Sequence, residues 1–437
     1  MGPAPPSSTQ SRVLGFWSVV SLVMGNMIGS GVFLLPASLA PYRGVSLAGW
    51  ALSAAGAVML ALVFARLARQ SPAAGGLFVY TREAFGDVPA FLVAWGYWIS
   101  VVTSLAALAV ACVGYLEPLV PSVARVPGLA ALLAIGTVWL LVAVNITGLH
   151  TAGRLQVVTV ALKVVPLIVV GVGGLWYFDA GAFTLPATTD TPLARQVVST
   201  MTLTLWAFLG LECATIPAGS VRDPSRTIPR ATVAGTLLAA TLYVVSTVGV
   251  MSLVPSDALA SSTAPFADGA RHLLGELGGE FIAFGAAVSC FGALNGWILI
   301  AGQLPMAVAA HGLFPAVFGR LSSRGTPAHG IVVAAALATA LVAMNYSRNL
   351  VELFTFVVLL STLSALVPYV FCSLAVWLRP AHPKPTGRAA VVSVLAFVYA
   401  MFAIAGAGAE TVFLGFLLLL SGLPVYVWLK RSREATP

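Results

Sequence analysis

Apolar runs of about twenty residues recur along this chain, and its charges fall between those runs instead of inside them. Such a run has the length of a helix that crosses a bilayer core, roughly 20 residues. Only 8% of the 437 residues are charged and 59% are hydrophobic, whereas a soluble domain carries about 25% charge. The chain therefore belongs in lipid. Because each unpaired backbone group costs several kcal/mol in hydrocarbon, lipid-facing segments must be helices or a closed barrel, and runs this long exclude barrel strands.

The runs predict an all-α polytopic membrane protein with twelve spans, at 16–38, 46–67, 89–116, 129–147, 156–177, 197–217, 228–253, 279–309, 328–344, 350–378, 389–405 and 410–429. If the chain starts inside, sixteen Lys and Arg residues fall in cytoplasmic segments, from Arg12 through Arg66, Arg69, Arg82 and Arg154 to Arg379, Lys430 and Arg433. Arg43, Arg125, Arg195, Arg271 and Arg348 make five on the other side. That asymmetry places both termini in the cytoplasm. The polar, Pro/Ser-rich residues 1–12 and the long first run do not read as a cleaved leader.

Several function classes drop out. The net charge of +8 is scattered over short loops as insertion signals and makes no single basic face, so a nucleic-acid partner is not expected. There is no GxxxxGK[ST] phosphate loop, which leaves an ion gradient or exchange as the energy source. Cys112, Cys213, Cys290 and Cys372 sit in apolar stretches without metal-ligand spacing and read as small packing residues. His150, His272, His311, His329 and His382 are scattered at loops and span ends, so neither a metal site nor a membrane-embedded enzyme is expected.

Two spans contain signs of interruption. The first holds Gly25-Asn26-Met27-Ile28-Gly29-Ser30-Gly31 in its middle, and each glycine costs about 1 kcal/mol relative to alanine in a helix. Unwinding there would free amides that suit a carboxylate and carbonyls that suit an ammonium. Glycines at such spacing also serve close helix packing, and alone they do not decide between the two. The sixth span carries Gly210 and Glu212 at comparable depth. Paired breaks five spans apart are what an inverted repeat of spans 1–5 and 6–10 predicts, with the site at its interface.

Glu212 and Lys163 alone lie well inside apolar runs. An ionisable group at a helix centre costs roughly 3 kcal/mol, which makes an idle one improbable, and both are candidates for proton linkage or gating. The alternative for each is a polar pairing that fixes helix register. Trp206 and Trp297 fall at mid-span, where an indole can gate or stack on a cation. Asn26, Ser30, Tyr97, Ser100 and Ser361 offer the few polar groups that a mostly apolar pocket needs.

The run from Gly25 to Pro36 resembles helix one of the amino acid/polyamine/organocation superfamily. Leu205 to Glu212 followed by Asp223-Pro224, Gly296-Trp297 with Gly302-Gln303, Gly312 to Pro315, and Leu366 to Tyr369 resemble its arginine/agmatine antiporter branch, among the basic amino acid/polyamine antiporters. The resemblance implies twelve helices with a five-plus-five, LeuT-like inverted repeat, at 13–177 and 197–378, with 389–429 outside it. It implies alternating access, with an amino acid held between broken helices 1 and 6. Ser30 and Gly31 would meet its carboxylate, with Ile28 and Leu209 at the two breaks. Trp206 would cover the site, Trp297 line it and Ser361 touch substrate, while Tyr97, Tyr369 and Glu212 match gate positions.

Two departures bear on specificity. Leu105 stands where that branch has an asparagine facing the basic substrate, and Lys163 resembles the lysine that replaces a sodium ion in related permeases. Two readings follow: an exchanger of a basic amino acid and a related amine, or a proton-coupled permease or exchanger for neutral amino acids. Neither needs a cofactor or sodium. A bacterial cytoplasmic-membrane location, lipid contact, and a homodimer through helices 11 and 12 are implied by the resemblance.

Overall fold

The computed structural model describes residues 15–71, 76–147, 163–185, 191–212, 221–344, 350–379 and 383–434. Residues 1–12, the start of the fifth expected span (156–162), the end of the sixth (213–217), and Arg154, Cys213, Arg348, His150 and His382 lie outside the described residues.

All regular structure among the described residues is helical. Six long helices match their apolar runs to within about four residues: α3 (Val45–Gln70), α5 (Asp87–Gly114), α7 (Leu129–Thr147), α10 (Pro224–Leu253), α14 (Leu350–Leu378) and α15 (Arg388–Gly406). Among the described residues eight helices are long and apolar enough to cross a membrane, and nine if the bent pair α1 (Phe16–Met27) and α2 (Ser30–Leu39) is one span. Shorter helices occupy the remaining expected runs: α8 (Lys163–Leu175), α9 (Leu193–Leu205) and α13 (Ala328–Met344).

Three details depart from the apolar pattern. The eighth run belongs to α12 (Pro265–Ala310), whose backbone breaks at Gly275 (φ 75°, ψ −172°), so a separate helical stretch precedes the apolar one. The last run is divided at Ser421 into α16 (Ala409–Leu420) and α17 (Gly422–Glu434). A short amphipathic α4 (Leu77–Phe85) lies between α3 and α5. Two one-turn helices, α6 (Ser122–Arg125) and α11 (Ser256–Ala260), sit in connections.

The α5 helix is the central post. Its most apolar window is 94% buried, against 28% for α7, because α14 and α12 pack along it. On the periphery Leu132 and Leu140 of α7, Phe281 and Phe284 of α12, and Phe413 and Phe416 of α16 stay exposed, which suits lipid as solvent. Residues from separate segments gather at one end: Arg66 donates to the Pro383 carbonyl (3.0 Å), and Arg379 reaches Gln70 (3.1 Å) and Glu83 (2.8 Å). These belong to the arginine-rich segments of the sequence.

Where α8 meets α10, the backbones touch. A Cβ on Gly249 would lie 2.5 Å from the Gly171 carbonyl oxygen, and one on Gly174 2.4 Å from that of Gly249. Without a hydrophobic force between helices in lipid, such close approach supplies the packing. Gly249→Val is expected to destabilise the detergent-solubilised protein by about 1–3 kcal/mol, the usual cost of overpacking, read as a lowered midpoint in thermal unfolding monitored by size-exclusion fluorescence.

Candidate functional site

The first break is one peptide long. Ile28 leaves the helix (φ −76°, ψ 94°) while its N–H still reaches the Met24 carbonyl at 2.7 Å, and Gly29 is extended (φ −137°, ψ −144°). The chain re-enters α2 at Ser30 with no side-chain cap, so the first-turn amides keep their free N–H groups. The Ser30 hydroxyl is buried and has no hydrogen-bond partner among the described residues. A helix N-terminus of this kind is a ready anion site.

The sixth span breaks at matching depth. After α9 a tight turn, Trp206–Phe208, leads to extended Leu209 (ψ 134°) and then to Gly210 at φ +107°, a conformation that a side chain would strain. The two breaks meet, since a Cβ on Gly210 would lie 3.2 Å from Asn26. Between them is a cavity lined by Asn26, Ser30, Gly31, Trp206, Leu209 and Trp297, with Met27, Gly29 and Leu108 completing the wall. Its free space is about 10 Å³, the room of one water molecule. Trp206 closes it: a methyl on Gly31 would meet the indole Cδ1 at 2.8 Å.

Beside this cavity, Glu212 is fully buried and accepts from three elements. Tyr97 of α5 donates to Oε1 at 2.5 Å, Tyr369 of α14 to Oε2 at 2.8 Å, and the Gly210 amide to Oε2 at 3.2 Å. The carboxylate thus ties the sixth-span break to α5 and α14. Lys163, buried on α8, donates from Nζ to the Gly25 carbonyl at 2.7 Å. Its ammonium occupies the kind of backbone acceptor that a metal cation would otherwise coordinate.

The structure thus brings Asn26, Ser30, Gly31, Trp206, Leu209 and Trp297 to one cavity and Tyr97, Glu212 and Tyr369 to one cluster beside it. Ile28 shapes the break without lining the cavity. Ser100 and Ser361 stand apart, in the α5–α14 interface: their hydroxyls lie 3.0 Å apart, Ser361 donates to the Ser100 carbonyl at 2.8 Å, and Ser104 joins them. Sequence reasoning missed Leu108, which lines the cavity one turn beyond Leu105. The signal was available, because positions three apart share a helix face.

Polar contacts join neighbouring elements near the two ends of α5. At one, the Tyr115 hydroxyl donates to the Phe33 carbonyl (2.6 Å) and accepts from the Phe266 amide (3.3 Å), while Thr263 donates to Glu117. At the other, Arg379 binds Glu83 and Ser71.

The amino acid permease family matches residues 14–426. The chain belongs to that family. Over 424 residues it is 31% identical to the putrescine transporter PotE of Haemophilus influenzae, covering 96% of this chain and 97% of that protein. It is 34% identical over 345 residues to the cadaverine/lysine antiporter of Escherichia coli, covering 78% of this chain and 77% of the relative. To PotE of Escherichia coli it is 30% identical over 425 residues, 96% and 97% of the two chains. It is therefore a multi-pass membrane transporter and not an enzyme.

Glu117, in the turn after α5, has its carboxyl raised above the ordinary 4.5 because burial penalises the charged form more than the Thr263 hydrogen bond favours it. If opening this end returns Glu117 to water, its raised carboxyl makes the contact shown here take up a proton, so that contact is favoured on acidification and weakened as pH rises from 4.5 through the raised value. In a background without native cysteines, the rate of thiol labelling of Ala267→Cys, a buried position next to Phe266, taken relative to an exposed reference cysteine so that thiol ionisation cancels, should be lower at pH 5 than at pH 7. Glu117→Gln should make it slow at both; a persisting pH dependence would assign it to another group.

Proposed function

We propose that this transporter is a secondary active exchanger that passes a basic amino acid against a related amine by alternating access. The observation that carries this reading is the buried Glu212 carboxylate, held by Tyr97 and Tyr369 beside a cavity between two broken helices. The free amides of Ser30 and Gly31 suit an α-carboxylate, and the face of Trp206 or Trp297 suits an ammonium. The names of the relatives support the same class, so lysine, cadaverine and putrescine join arginine and agmatine as substrates to test.

The breaks at 28–29 and 209–210 support the twelve-span, five-plus-five arrangement over 13–177 and 197–378, with 389–429 outside the repeat. In it Asn26, Ile28, Ser30, Gly31, Trp206, Leu209 and Trp297 form the binding site. Ser100 and Ser361 would join when α5 and α14 part, and Tyr97, Glu212, Tyr369 and Lys163 would act as gate or proton-linked groups. The gathering of arginines from separate segments at one end supports cytoplasmic termini, in a bacterial cytoplasmic membrane, and the α15–α17 face offers a surface for a homodimer. Lys163 on the Gly25 carbonyl argues against sodium and leaves the proton as coupling ion. The second reading, a proton-coupled permease or exchanger for neutral amino acids, is favoured by Leu108 in the cavity wall.

Proteoliposomes preloaded with one unlabelled compound and offered labelled arginine, lysine or putrescine at pH 5 and 7.5 test this. Uptake that requires an internal diamine or basic amino acid is expected, without effect of sodium. Gradient-driven uptake of leucine or alanine alone would replace the exchanger by the second reading. Lys163→Ala should cut exchange about fivefold to a hundredfold, since it leaves a buried carbonyl unpaired at a cost of about 1–3 kcal/mol. Glu212→Gln should flatten the pH profile; a profile like that of the wild type would remove Glu212 from proton linkage.

A further inference from the structure

A groove of about 660 Å³ runs between α3, α10, α14 and α15 at the arginine-rich end, within the range of about 300–1,000 Å³ that holds small ligands. Arg66, Arg69, Arg230 and Arg388 line it, from three different helices, and no acidic residue does. None of the four has an ion pair to a carboxylate among the described residues. Arg66 is anchored through Nη2 to the Pro383 carbonyl, which leaves its buried Nε without an acceptor. The rest of the lining is apolar, and Leu62 and Leu237, 40% and 51% exposed, carry that apolar wall out to the lipid-facing surface.

Four guanidinium groups without counter-charges are costly to hold together at a membrane boundary, and an apolar wall beside them is unsuited to a soluble anion alone. We infer that the groove binds an anionic phospholipid, its phosphodiester held by Arg66, Arg69, Arg230 and Arg388 and its acyl chains laid along Leu62 and Leu237. Such a lipid would bridge α3 and α10 to α15, in the leaflet that the proposed orientation makes cytoplasmic. The chemistry is that of basic pockets between transmembrane helices, where each cation contributes about 1 kcal/mol toward an anionic surface.

Lipid retention is read separately from transport. The purified full-length protein, delipidated and titrated in native mass spectrometry with phosphatidylglycerol, cardiolipin or phosphatidylcholine, should retain either anionic lipid at least tenfold better than phosphatidylcholine. Arg69→Gln and Arg230→Gln should each weaken retention about fivefold, whereas Arg320→Gln with Arg324→Gln, outside the groove, should not. Equal retention of the three lipids, or variants that retain lipid like the wild type, would overturn the assignment. Displacement by millimolar inorganic phosphate would assign the arginines to a free anion instead. Should a groove variant fail to fold, lipid selectivity and phosphate competition in the wild type still decide.

Discussion

A backbone that unwinds in an environment without water must find partners for the groups it frees, and this constraint organises the centre of the molecule. The two breaks meet it with opposite charges. At the first, a carbonyl released by the glycine-rich run is claimed by the Lys163 ammonium from α8. At the second, the Gly210 amide is claimed by Glu212, two residues further along the same chain. Backbone and hydroxyl dipoles compensate each charge: the Gly25 carbonyl faces Lys163, and Tyr97, Tyr369 and the Gly210 amide face Glu212. Removing either would leave an unpaired backbone group as well as altering charge, which is why the breaks and the buried ions are a single feature.

Closure of the cavity follows from side-chain size. Only glycine at position 31 lets the Trp206 indole settle against α2, and the space left is that of one water. An amino acid therefore enters only when Trp206 swings away or the two breaks separate. The contacts at the two ends are of different chemistry: Tyr115 works through backbone groups of Phe33 and Phe266, whereas Arg379 works through the Glu83 carboxylate and Ser71. The Arg379 guanidinium is itself buried but its Glu83 partner is 39% exposed, whereas the Tyr115 contact is buried on both sides, so the two contacts need not part at equal cost.

Much of this was legible in the sequence because bilayer physics is one-dimensional. Run length anticipates the long apolar helices, the glycine-rich run marks the first break once the sixth-span interruption is set beside it, and the rarity of intramembrane charge singles out Lys163 and Glu212. What was not legible depends on residues far apart in the chain. The Ser100–Ser361 contact joins two apolar helices whose serines carry no local signal, and it turns two expected substrate ligands into interface partners in this closed arrangement. The helical stretch before Gly275 and the amphipathic α4 are too short or too polar for a hydropathy window. The arginine groove is invisible as well: insertion signals spread over three segments become a site only when α3, α10 and α15 bring them together.

The Glu212 cluster also limits how a gate at this position can work. An ionised carboxylate offers about four lone-pair sites, and Tyr97, Tyr369 and the Gly210 amide take three of them. A proton or a substrate ammonium that displaced one of these donors from Glu212 would act on a different element in each case. Loss of Tyr97 frees α5, loss of Tyr369 frees α14, and loss of the amide frees the sixth-span break. Those are the elements that pack around the cavity and seal its neighbouring interface. Under the proposed gating role, chemistry at one carboxylate would thereby be converted into relative movement of helices, without any need for the charge itself to contact bound substrate.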